Sequence, residues 1–130
     1  AVAHLMFDLA PLMIGVKPRT GPSQWFAEIV ATFALVLTIL GGVRHARSAI
    51  PWLVGLVITA AYWFTASTSF ANPAVTLARG FTTTFAGIAI GDVPGFVMAQ
   101  LIGAGLGAIV AGILFPADAG ASSRATQPAD

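Results

Sequence analysis

The stretch STSFANPAVTLARGF, residues 67–81, brings together three successive hydroxyls (Ser67, Thr68, Ser69) at its start, the Asn72 amide and the Arg79 cation inside an apolar run. The pairings that catalysis needs are missing from the chain. It has no nucleophile beside a base, no carboxylate dyad and no metal-ligand cluster. His4 and His45 have no metal-ligand company, and the absence of cysteine excludes disulfides and thiolate metal sites. The sequence therefore predicts neither an enzyme nor a metal site. Hydroxyls and an amide in apolar surroundings can still satisfy backbone groups and donate hydrogen bonds to a small polar solute.

Asn72-Pro73 has the form of a helix start, because Asn is a leading N-cap and Pro is favoured at the first helical position. A short half-helix of about two turns follows, ending near Gly80. Its N-terminus carries roughly half a positive charge, and such an end inside a bilayer repels cations and orients polar solutes. The alternative, an ordinary turn between two helices, would leave 67–78 as an unusually apolar surface loop.

The surroundings decide where this half-helix lies. Of the 130 residues, 57 % are hydrophobic and 8 % charged, against about 25 % charged in soluble domains. With a mean hydropathy of +0.87, the class is an all-α polytopic membrane protein. A net charge of +1 with scattered basic residues gives no nucleic-acid partner. The loop KPRTGPSQ (17–24) supplies Ser23 as an N-cap for a span over 25–43, with Trp25 at the interface. After Arg44 and Arg47, no residue is charged from 48 to 78. One straight helix of that length would be about 46 Å, against a hydrocarbon core of about 30 Å. The stretch 49–64 makes a span, with Pro51 in its first turn. The residues after it remain at membrane depth, where non-helical backbone is tolerated only against protein or a water-filled cavity. A third span covers 93–115 and contains Gly103-x-x-x-Gly107, a spacing that lets helix backbones approach closely. Residues 116–130 read as a disordered polar tail. The opening AVAHLMFDLAPLMIGV is too short and too broken to span, and the expectation is the end of a helix whose beginning is missing, hence a fragment. Basic residues balance across the membrane, Lys17 and Arg19 against Arg44 and Arg47, and Arg124 tips the latter side toward the cytoplasm.

With its motif between a span and a Gly-rich span, the chain resembles the aquaporin and glycerol-facilitator family through the Asn72-Pro73-Ala74 signature in NPAVT. The order of span, short basic loop, span, motif, span and tail is similar to the second of that family's two inverted repeats. Since the first motif can also read NPAVT, a first repeat is the other assignment; the tail and the partial helix before Trp25 argue against it. The resemblance implies that residues 1–115 are the C-terminal half of a channel. It also implies a missing N-terminal half, a homotetramer of full-length protomers in a lipid bilayer, and no cofactor. In most of the family an arginine follows the second motif and lines the selectivity filter; here Val75 stands there. The other filter positions fall on Ser69 and, by spacing, near Ala60. Small, mostly apolar residues imply a wide constriction suited to polyols or metalloid hydroxides such as arsenite. The form FANPAVTLARGF resembles a bacterial branch associated with arsenic resistance, which implies a bacterial inner membrane.

Glu28, one turn inside its span, is expensive there; the resemblance makes it a buried acceptor for the motif loop's N–H groups, and the other reading is a charge near the helix N-terminus at headgroup level. Arg79 is expected either to bond re-entrant carbonyls or to snorkel to the surface, and Gln100 to join helices. A different class of function also fits the charge balance: a stand-alone dual-topology protein serving as scaffold or coupled transporter.

Overall fold

The computed structural model describes residues 2–116. The tail expected over 116–130 lies, but for Pro116, outside them. Five α-helices follow one another: α1 (Val2–Met6), α2 (Pro22–His45), α3 (Ile50–Phe64), α4 (Pro73–Arg79) and α5 (Val93–Leu114). No β-strand occurs among the described residues. Three helical segments, Pro22–His45, Arg47–Phe64 and Ile90–Leu114, are long and apolar enough to cross a membrane. The short α4 lies between the last two of them, as the apolar length after Phe64 requires.

The start of α2 differs from the sequence expectation. Ser23 is not its cap: the helix begins at Pro22, and Gly21 is the capping residue, with φ 106° and no side-chain bond. Gly-Pro wins over the serine because proline pre-sets the first helical turn, while glycine alone accepts the left-handed backbone before it.

α2 packs along α5. A Cβ at Gly103 would collide with the Ile29 carbonyl oxygen, and one at Gly107 would lie 3.0 Å from the Phe33 carbonyl oxygen. The two glycines thus bring the α5 backbone directly onto α2, gaining dispersion contacts that larger residues would prevent. Two small buried clusters complete the interior. Ala31, Ala61 and Ala71 join α2, α3 and the segment before α4, and Phe70, Ile88 and Phe96 join that segment to α5. Large apolar side chains such as Trp52, Trp63 and Ile113 face outward, as lipid-facing surface does.

The segment between α1 and α2 is tied to the loop that follows α4. Gly15 N donates to Gly80 O at 2.8 Å and Ala89 N to Lys17 O at 2.7 Å. A side chain at Gly15 would collide with the Ile88 carbonyl oxygen. On α1, His4 Nδ1 donates to Ala10 O at 2.8 Å, and Nε2 lies 2.7 Å from Thr82 Oγ1. The stretch from 9 to 21 is therefore a strap laid against the loop that follows the half-helix.

Candidate functional site

Thr65 is extended (φ −97°, ψ 138°), and the chain leaves helical geometry there. Thr68, Ser69 and Ala71 then adopt φ of 60°, 44° and 49°, left-handed values that cost non-glycine residues roughly 1–2 kcal/mol each. Such backbone persists only where its surroundings over-determine it. Here the principal restraint is Glu28 on α2, which is fully buried. Its Oε1 accepts from Phe70 N at 2.8 Å and its Oε2 from Ala71 N at 2.9 Å. Ser67 Oγ also accepts from Ser69 N at 3.2 Å.

A second layer of bonds holds the carboxylate. Gln100 Nε2 on α5 donates to Glu28 Oε2 and to Thr76 Oγ1, both at 2.7 Å. Thr76 Oγ1 donates in turn to Asn72 O at 3.0 Å. Gln100 and Thr76 are buried with Glu28, so α2, α4 and α5 are joined by one buried polar network. Charge-assisted bonds of this kind are stronger than neutral ones, and opening one would leave a buried polar group unpaired.

That network ends at Asn72. Its backbone is extended, and its Oδ1 accepts from Ala74 N at 2.8 Å and Val75 N at 3.4 Å, capping α4. Pro73 occupies the first helical position, where no N–H is needed. With Oδ1 turned onto the helix, Nδ2 is directed away from it, and it donates to nothing among the described residues. Asn72, Pro73 and Ala74 are exposed, although the residues on either side of Asn72–Ala74 in the network are buried.

Over 104 residues, 80 % of its length, the chain is 70 % identical to the aquaglyceroporin AqpS of Rhizobium meliloti (strain 1021). Over this span the chain is similar to a member of the aquaporin and glycerol-facilitator family. It spans 45 % of that relative's length. No protein-family profile matches it, and no solved structure does.

The three positions expected to form a filter have different environments. Ala60 is exposed on α3, beside the buried Ala61 that packs on Ala71. Ser69 is buried, and its Oγ has no partner among the described residues. Val75 is half-buried against Phe70, Ile88 and Phe96. None of the three carries a charge.

Arg79 is half-buried, and its side chain bonds no carbonyl among the described residues. Its guanidinium lies over the Phe70 ring, 4.2 Å from the centroid, and its buried Nη1 has no partner among the described residues. The carbonyls around the loop are bound by Arg19 instead. Arg19 Nε donates to Gly87 O at 2.8 Å, Nη1 to Ser67 O at 2.8 Å, and Nη2 to Phe85 O at 3.0 Å. Its own N donates to Asp92 Oδ2 at 2.8 Å. Sequence reasoning passed over Arg19 and Thr76. Thr76 stands four residues after Asn72, the spacing at which a threonine hydroxyl reaches back to a carbonyl, so that signal was present. For Arg19 there was none.

Proposed function

We propose that this chain forms half of a passive transmembrane channel for small uncharged solutes, with the solute path running beside Asn72. The observation that carries the reading is the Asn72 side chain. Its Oδ1 is used by α4, and its Nδ2 has no partner among the described residues and lies on an exposed face. An unpaired polar group facing hydrocarbon costs several kcal/mol, roughly. At membrane depth this face therefore borders water or solute rather than lipid. A donor there can replace part of the hydration that a hydroxylated solute sheds on entry.

In this reading residues 1–115 are the C-terminal repeat, and a complementary half closes the pore over Asn72, Pro73 and Ala74. The family resemblance adds a homotetramer of complete protomers and a bacterial inner-membrane location. The uncharged set Val75, Ser69 and Ala60 supports a constriction wide enough for glycerol-like polyols or neutral metalloid hydroxides such as arsenite, besides water. Stopped-flow swelling of proteoliposomes holding the complete pore tests this. Glycerol or arsenite entry faster than in empty liposomes is expected, and entry at the empty-liposome rate would refute the channel.

A further inference from the structure

Two guanidinium groups share one aromatic ring behind the motif. Arg19 lies 5.1 Å and Arg79 4.2 Å from the Phe70 centroid, and Phe70 is itself bonded through its N–H to Glu28. Arg19 is almost wholly buried, 4 % exposed. All of its side-chain bonds go to backbone carbonyls, those of Ser67, Phe85 and Gly87, so among the described residues its charge is solvated by dipoles and paired with no carboxylate.

The two acids in the neighbourhood are engaged elsewhere. Glu28 takes the N–H groups of Phe70 and Ala71 and the Gln100 amide, and Asp92 takes the backbone N–H of Arg19. Burial, and next the Arg79 charge, lower the Arg19 guanidinium from its ordinary value, while Glu28 acts in the opposite sense. A buried charge normally carries a paired counter-ion. A buried cation solvated only by carbonyl dipoles therefore calls for its own explanation.

We propose that Arg19, supported by Arg79, is the specificity-determining charge of this pore: a cation held behind the re-entrant loop that keeps monovalent cations out. The inference rests on the channel reading above. The fork is held by the Ser67, Phe85 and Gly87 carbonyls and lies over the Phe70 ring, in the cluster against which Val75 packs, so in this proposal its charge acts from behind that position without the side chain occupying the path. Val75, on the first turn of the half-helix, is then free to stay small and apolar. Cation exclusion and a wide constriction are thereby supplied by different residues. The field of a buried charge at intermediate dielectric stays strong over a few ångströms, roughly.

The test uses the complete pore in proteoliposomes, with glycerol swelling and potassium efflux measured on the same preparation. For Arg19→Gln the ratio of potassium leak to glycerol flux is expected to rise on the order of tenfold, as loss of one charge at intermediate dielectric allows. Arg19→Lys keeps the charge but loses the planar fork, and is expected to stay tight to potassium. Arg19→Gln that passes glycerol and remains as tight as wild type overturns the proposal, as does Arg19→Lys leaking like Arg19→Gln. Should Arg19→Gln pass no glycerol, Arg79→Gln decides: a raised leak ratio supports the proposal and an unchanged one overturns it. A wild-type pore that passes no glycerol defeats the channel reading itself, and the inference with it; that result is distinct from a tight variant that conducts glycerol.

Discussion

The carboxylate of Glu28 on α2 and the amide of Gln100 on α5 meet 2.7 Å apart beneath the half-helix. Through that contact two membrane-length helices hold a loop that has no regular structure of its own. Glu28 holds the loop's N–H groups, Gln100 fixes Glu28 and Thr76, and Thr76 fixes the carbonyl of Asn72. The motif is thus set by side chains lying on three different elements.

Glu28→Gln tests that arrangement with little change of shape. An amide offers one acceptor oxygen where the carboxylate offers two, so either Phe70 N or Ala71 N loses its partner. A buried donor left unpaired costs about 1–3 kcal/mol. The expected outcome is a lower thermal midpoint in detergent and a loss of solute flux, because the left-handed residues 68, 69 and 71 lose their restraint.

Asn72→Asp separates the two functions of the motif amide. An aspartate oxygen still caps α4, whereas Asn72→Ala would remove the cap at a cost of about 0.5–2 kcal/mol. The aspartate variant should keep wild-type stability and lose most of its glycerol flux, since the Nδ2 donor is replaced by a negative acceptor. Circular-dichroism melting and liposome swelling on one preparation check both halves of the statement.

Val75→Arg adds a long cation to a position half-buried beside Phe70, Ile88 and Phe96. If Val75 borders the constriction, the ratio of glycerol to water permeability should fall. An unchanged ratio in a well-folded variant would remove Val75 from the solute path.

Gly103→Leu should separate α2 from α5, since even a Cβ there collides with the Ile29 carbonyl oxygen. Overpacking of this kind costs typically 1–3 kcal/mol, and the variant is expected to melt earlier than wild type. Gly105→Ala, where nothing lies within 4 Å of the new Cβ, should melt at the wild-type temperature or above it. The pair distinguishes close helix approach from a general intolerance of larger residues.

The spans and the start of the half-helix were legible in the sequence because each depends on local chemistry. Apolar length gives the spans, and an Asn-Pro pair carries its own capping geometry. The first residue of α2 was misplaced because Ser23 and Gly21-Pro22 both signal a start, and only the backbone at Gly21 decides between them. Arg19 was not legible because its acceptors lie 48 to 68 residues away in the chain. A residue type states that a cation exists, and only the folded strap states which carbonyls it reaches. Arg79 was the natural candidate by proximity along the chain, yet its position on α4 directs it onto Phe70 instead.

In the proposed channel the exposed face at Asn72–Ala74 borders the solute path. The chain contains no cysteine, so Ala74→Cys introduces a single thiol into this half at that face. Labelling it with a small water-soluble thiol reagent, while glycerol entry into proteoliposomes is followed by stopped-flow, tests the claim directly. The reagent is expected to react and glycerol entry to fall to the rate of empty liposomes. Complete labelling with glycerol entry unchanged would contradict it.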